Sequence, residues 1–184
     1  MSVDPGQVQN KLASVRLIAM DVDGVLTDGG VIYTGADGES KRFHIADGLG
    51  IQLAIHAGLS IAWITGRTSE VVERRAKELG VQHLYQGASN KSAPLAELIG
   101  TYAINSANIA YMGDDLNDLP AFSVAGVKFA PSNAVGEIKG VADFITERAG
   151  GGGAVREMCD AILKAQGRWN DALTQYLAKL LQSG

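Results

Sequence analysis

Two carboxylates, Asp21 and Asp23, stand two residues apart just beyond the apolar run Val15-Arg16-Leu17-Ile18-Ala19-Met20. In an extended segment, side chains two apart point the same way, so both can face one crevice. One carboxylate can attack phosphorus to give an aspartyl-phosphate, while the other protonates the leaving oxygen and then activates water. Clustered carboxylates repel one another and repel a phosphate. Magnesium relieves both conflicts, because it takes oxygen ligands and joins one or two carboxylates to substrate oxygens. Asp114, in Gly113-Asp114-Asp115-Leu116-Asn117-Asp118, is the natural further ligand. Thr65 and the amides around Gly66 offer hydrogen-bond donors to a phosphoryl group, and Lys91 offers a fixed positive charge at a helix start. Gly24 lets the backbone approach closely after the first strand. Taken singly these signals are weak. Asp-x-Asp is common in turns and caps, Thr-Gly-Arg commonly just turns the chain, and the Gly113 run reads equally well as a loop closed by Asx turns.

The elements must bring these residues together. Short, mostly apolar runs at Val15–Met20, Leu59–Ile64 and Ile109–Met112 read as buried parallel strands, with shorter ones at Val81–Tyr85, Val127–Phe129 and Ala142–Ile145. Helical patterns lie between them: Leu49–His56, Val71–Leu79 behind a Ser69 cap, and one capped by Asn90 with Pro94 near its start. This alternation predicts an α/β fold, a doubly wound Rossmann-like parallel sheet with helices on both faces. In such a sheet, ligands bind beyond the carboxyl ends of the strands, where all four clusters fall. Val31-Ile32-Tyr33 and Lys41-Arg42-Phe43-His44-Ile45 flank the turn Gly35-Ala36-Asp37-Gly38 and predict a β-hairpin after the first strand, within about 30–45. The glycine run Gly150–Gly153 precedes helices at Ala154–Gln166 and Trp169–Leu181. One domain over 1–184 is expected, with a glycine-rich tail and C-terminal helices from about 148.

Bulk properties narrow the function. The 184 residues are 46% hydrophobic and 20% charged, the balance of an ordinary globular protein. A net charge of −4 gives no footprint for nucleic acid. No apolar run approaches the roughly 18 residues of a membrane span. The start lacks the pattern of a signal peptide, and the single cysteine, Cys159, suits a reducing compartment, so a cytoplasmic location is expected. His44, His56 and His83 are scattered and suggest no transition-metal site.

The ordered set Asp21-Val22-Asp23-Gly24, Thr65-Gly66-Arg67, Lys91 and Gly113-Asp114-Asp115-Leu116-Asn117-Asp118 resembles the four signature motifs of the haloacid dehalogenase superfamily of phosphotransferases. The resemblance implies Asp21 as nucleophile, Asp23 as general acid/base, and Thr65 and Lys91 as phosphoryl-binding groups. It implies Mg²⁺ held by Asp21, the backbone carbonyl of Asp23 and Asp114, with Asp115 and Asp118 supporting the metal site or Lys91 from behind. A narrower resemblance, carried by Asp23–Gly29, Asp47-Gly48-Leu49-Gly50-Ile51 and Gly153-Ala154-Val155-Arg156-Glu157, is to superfamily phosphatases of 2-keto-3-deoxy sugar phosphates that serve lipopolysaccharide biosynthesis. Nonulosonate 9-phosphates are the alternative substrates. A non-catalytic partner of a sugar-nucleotide enzyme is the alternative class, which the intact motif set opposes. The tail departs from the family's Arg-Pro-Gly-Gly-x-Gly, reading Arg148-Ala149-Gly150-Gly151-Gly152-Gly153.

Many superfamily members carry a cap domain, for which the spacing here leaves no room. The resemblance implies instead a homotetramer whose hairpins gather centrally and whose neighbouring subunits complete each site. Val31, Tyr33 and Phe43 supply apolar hairpin surface for such contacts. Thr65, Gly66, Arg67 and Lys91, with Arg75 (or its neighbour Arg74) and Arg148, are the candidate substrate-binding residues, guanidinium being suited to carboxylate and phosphate. The glycine-rich tail is a candidate mobile lid carrying Arg148 or Arg156.

Overall fold

A computed structural model describes residues 5–35 and 38–182. In chain order the elements are α1 (Pro5–Ala13), β1 (Leu17–Met20), β2 (Ile32–Thr34), β3 (Gly38–Ser40), α2 (Ile45–His56), β4 (Ser60–Ile64), α3 (Glu70–Leu79), β5 (His83–Tyr85), α4 (Ser92–Tyr102), β6 (Ile109–Met112), α5 (Leu119–Val124), β7 (Val127–Ala130), α6 (Gly136–Val141), β8 (Phe144–Ile145), α7 (Ala154–Ala165) and α8 (Trp169–Gln182). Six strands form one parallel sheet in the order β5-β4-β1-β6-β7-β8. The order reverses between β1 and β6, which opens a crevice at their carboxyl ends.

Alternation along each central strand explains why these runs read as continuously apolar. Ile18 and Met20 of β1, Ile61 and Trp63 of β4, and Ala110 and Met112 of β6 pack on one face beneath α2, α3 and α7. Leu17 and Ala19, Ala62 and Ile64, and Ile109 and Tyr111 pack on the other, against α4, α5 and α6. A strand covered on both faces has no polar side to display. The Cys159 thiol lies buried in the first layer, and burial pushes its pKa up, which fits a packing role.

Local signals place several ends. The Ser69 hydroxyl accepts from Val72 N at the start of α3, and Gly80, at φ 75°, closes it. Asn90 accepts from Ser92 N beside the start of α4. Most strands are shorter than their apolar runs.

The hairpin differs from the sequence expectation. Its return arm is β3, with Tyr33 opposite Glu39, while Lys41–His44 form no strand and Ile45 begins α2. Ala36 and Asp37, at the expected turn, lie outside the described residues. Val31 and Tyr33 are exposed as the sequence predicts, and so is Ile32, but Phe43 is partly buried and stacks on Trp63 at 6.3 Å. Among the described residues no further unit stands over the carboxyl edge of the sheet.

The glycine-rich tail braces the loop that follows β1. Gly151 N donates to Val25 O at 2.9 Å and Gly150 N donates to Asn133 Oδ1 at 2.8 Å. A Cβ added to Gly150 would overlap the carbonyl of Gly24, so only glycine lets the two loops approach this closely. Arg156 is fixed nearby, its amide donating to Asp47 and its guanidinium to Asp160 at 2.7 Å, over the Trp169 ring.

Candidate active site

A cavity of about 250 Å³ opens at the crevice, lined by Asp21, Asp23, Gly29, Thr65, Gly66, Arg67, Asp114, Asp115 and Asn117. β1 delivers Asp21, β4 delivers Thr65 and β6 delivers Asp114. Segments nearly a hundred residues apart in sequence meet because the three strands are adjacent in the sheet.

Lys91 lies under the floor with its side chain 1% exposed, where its Nζ pairs with Asp21 Oδ2 and Asp118 Oδ1, each at 2.7 Å. Burial alone would lower the lysine pKa, but the charges of Asp21 and Asp118 outweigh it and hold the ammonium above its usual value. Asp21 also accepts from Val22 N at 2.7 Å. Burial, reinforced by the charge of Asp118 and opposed by Lys91, raises Asp21 to about 7. Burial, then the charges of Asp118 and Asp21, likewise raises Asp114 to about 7.

Asp21, Asp114 and Asp118 bring carboxylate oxygens within 4.8 Å of one another. Three carboxylates facing one lysine leave an excess of negative charge in a largely buried space. A divalent cation offsets that excess. The three are not equivalent ligands, however. Asp118 Oδ1 accepts from Lys91 Nζ and Tyr111 Oη, and its Oδ2 accepts from the amides of Asp114 and Asp115. Both of its oxygens are committed. Asp114 Oδ1 is buried with no hydrogen-bond donor, which is the condition of an oxygen awaiting a cation. The donor set therefore fits a hard, oxygen-loving ion such as magnesium, held by Asp21 and Asp114 while Asp118 fixes Lys91 and the loop. Gly24, at φ 89°, is packed so close to Asp114 that an added Cβ would overlap its Oδ2, so only glycine fits there.

Asp23 is on the rim. Its carboxylate is not part of that trio and accepts from Lys41, whose Nζ lies 2.5 Å from Asp23 Oδ1. A side-chain role for Asp23 at the metal is thereby disfavoured, leaving its carbonyl as the route considered above. Arg67 Nε stands 3.9 Å from Asp23 Oδ2, and Arg67 Nη2 bonds Glu39 Oε2 at 3.1 Å. The Ser69 hydroxyl, and then Arg67, hold the Glu39 carboxyl below its usual range.

The sequence-based candidates thus divide. Asp21, Asp23, Thr65, Gly66, Arg67, Asp114 and Asp115 share one cavity, with Lys91 and Asp118 directly beneath it. Arg75 and Arg148 stand outside it. Arg75 pairs with Glu78 and lies over the Phe43 ring, and Arg148 borders a separate surface depression with Arg156 and Lys164. Lys41, Gly29 and Asn117 were not anticipated. Lys41 lies within a run whose pattern predicts a hairpin strand, and nothing in its neighbours signals burial against Asp23.

This geometry, a carboxylate paired with a buried lysine beside a second carboxylate that keeps one oxygen without a donor, is that of a haloacid dehalogenase-like hydrolase, and the family so described matches residues 80–158. The 3-deoxy-D-manno-octulosonate 8-phosphate phosphatase of Salmonella typhi is 45% identical over 91% of this chain and 89% of its own. The structure of the Moraxella catarrhalis enzyme of the same name, in complex with magnesium ion, phosphate ion and a KDO molecule, matches with a TM-score of 0.90 and 42% identity over 94% of this chain and 99% of that one. The cobalt-bound form of the Haemophilus influenzae phosphatase matches with a TM-score of 0.83 and 38% identity over 86% and 93%. The chain belongs to this family of phosphatases. No described helix is long and apolar enough to cross a membrane.

Proposed function

We propose that the chain hydrolyses 3-deoxy-D-manno-octulosonate 8-phosphate to the free sugar acid and phosphate, with magnesium as cofactor. The observation that carries this reading is the buried Asp21–Lys91 pair beneath a small polar cavity, in a chain 45% identical to phosphatases of that ester.

In the first step, an Asp21 carboxylate oxygen bonds to phosphorus as the bond from phosphorus to the sugar oxygen breaks. Asp23 gives that leaving oxygen its proton. In the second step, Asp23 takes a proton from water, whose oxygen bonds to phosphorus as the aspartyl-phosphate bond breaks, releasing phosphate and restoring Asp21. Thr65, the Gly66 amide and Lys91 hold the phosphoryl oxygens, Lys91 also keeping Asp21 oriented. Asp21, the Asp23 carbonyl and Asp114 would hold the magnesium, which supplies charge neutralisation at the phosphoryl group. Asp118 and Asp115 order this loop.

The sugar extends past the rim, where Arg67 is half-exposed and suited to the sugar carboxylate. Residues 1–184 act as one phosphatase domain in the cytoplasm, assembled as a homotetramer. Supporting the assembly are exposed Ile32 and Tyr33, at 54% and 80%, on a short hairpin. In such an assembly, Arg75 and Arg148 would act only from a neighbouring subunit.

A phosphate-release screen with magnesium over purified 2-keto-3-deoxy sugar phosphates tests the substrate. The octulosonate 8-phosphate should give the highest kcat/KM, and preference for a nonulosonate 9-phosphate would reassign it. Light scattering of the wild type and Tyr33→Glu tests the assembly. A tetramer that dissociates on substitution is expected, and a wild-type monomer would refute it.

A further inference from the structure

Lys41 carries a feature that the chemistry above leaves unused. Its side chain is 1% exposed, yet Asp23, its hydrogen-bond partner, is 21% exposed and faces the cavity. A lysine amine is strongly hydrated, and withdrawing it from water is unfavourable without a compensating partner. Its surroundings supply two carboxylates, Asp23 Oδ1 at 2.5 Å and Glu39 Oε1 at 3.8 Å. Glu39 in turn bonds Arg67, whose Nε lies 3.9 Å from the second Asp23 oxygen. Asp23 is therefore hydrogen-bonded on one oxygen by Lys41, from the segment after β3, while Arg67, from the loop after β4, stands at ion-pair distance from the other. Glu39, in β3 itself, ties the two cations together.

We propose that Lys41 is a positioning residue for Asp23, delivered from the base of the hairpin to hold that carboxylate within reach of the leaving-group oxygen. Among the described residues, Lys41 is the one side chain that hydrogen bonds Asp23. Without it, the Asp23 side chain is free to leave the rotamer that faces the cavity. General acid catalysis depends on heavy-atom placement within hydrogen-bond reach, and a displacement of about 1 Å can cost about 100-fold. Because Lys41 follows β3 directly, the hairpin becomes part of the catalytic apparatus as well as surface for assembly. This inference rests on Asp23 being the acid/base, as proposed above.

The test compares an alkyl ester, the sugar phosphate, with p-nitrophenyl phosphate, whose leaving group departs without a proton. Lys41→Met should lower kcat about 100-fold on the sugar phosphate and less than about tenfold on the aryl ester, with little change in KM. Lys41→Arg, which keeps a buried cationic donor, should recover most of the loss. Asp23→Asn, assayed in parallel, separates the two readings. If Asp23→Asn shows no dependence on leaving group, the acid/base assignment fails. If Asp23→Asn shows the dependence but Lys41→Met is unimpaired, loses both substrates equally, or changes mainly KM, the positioning role is overturned. Thermal unfolding reports whether Lys41→Met folds. Should it not, Lys41→Gln, which keeps a neutral donor, is judged by the same ratio of the two substrates.

Discussion

The two sides of the catalytic cavity are built differently. The floor has Asp21 and Asp114 at the ends of adjacent sheet strands, with Lys91 and Asp118 buried beneath them and Tyr111 bonded to Asp118. The rim, with Asp23, Lys41, Glu39 and Arg67, is held by ion pairs contributed in part by a two-stranded hairpin outside the main sheet. Strand ends packed on both faces fix atoms closely, which suits the bond-making step. A hairpin with few neighbours can vary without disturbing the sheet. Within the floor, Asp114 and Asp118 sharpen the same contrast. Four residues apart, one leaves an oxygen without a donor while the other has both oxygens committed.

The largest expected effect is at the floor. Asp21→Asn should reduce kcat by roughly four orders of magnitude, measured by phosphate release under saturating substrate. Activity equal to wild type would remove Asp21 from the chemistry. Next comes the contrast between the two loop aspartates. Asp118→Asn weakens charge pairing to a buried lysine and should cost about 3–5 kcal/mol in chemical denaturation. Asp114→Asn removes repulsion from the metal-free cluster, so its metal-free stability should hold or rise while magnesium affinity drops on the order of 100-fold by calorimetry. A reversal of these two behaviours would exchange their roles.

Smaller in size is the brace. Gly150→Ala should cost about 1–3 kcal/mol, because its Cβ collides with the Gly24 backbone, and should lower kcat through displacement of the Asp21 loop. Stability and turnover both unchanged would show that the brace does not constrain the loop.

The least dramatic effect is on pH. Asp21 and Asp114 have native pKa values raised from 3.8 to about 7. The metal-free native state therefore binds more protons than the unfolded chain between those values. The contribution of these groups to stability is fully present below pH about 4 and is lost as pH rises through about 7. Magnesium needs the ionised forms, so its affinity should fall as pH drops below 7. The rise in Tm on adding magnesium should accordingly be larger at pH 8 than at pH 6, and an equal rise would contradict the raised pKa values.

Legibility followed the same division between floor and rim. Asp21, Thr65 and Asp114 could be read because each lies within two residues of the end of an apolar strand, and parallel neighbours must place those ends together. Lys91 was legible as a helix-start cation, although its burial depends on Asp118 and Tyr111 lying opposite it. Lys41 was not legible. Lys41-Arg42-Phe43-His44-Ile45 alternates like a strand, but Phe43 turns inward onto Trp63, Lys41 turns to Asp23, and Ile45 opens a helix. The tail misled for a related reason. Four glycines suggest mobility, whereas here Gly150 and Gly151 permit contact with the catalytic loop at distances a side chain would forbid.

The central claim is that Asp21 attacks phosphorus. Its most direct test is mass spectrometry of peptides from enzyme acid-quenched during turnover of 3-deoxy-D-manno-octulosonate 8-phosphate with magnesium. An acid-stable, base-labile phosphate on the peptide holding Asp21, absent from Asp21→Asn, is the expected result. A phosphate on another residue, or an Asp21→Asn enzyme that turns over at the wild-type rate, would contradict it.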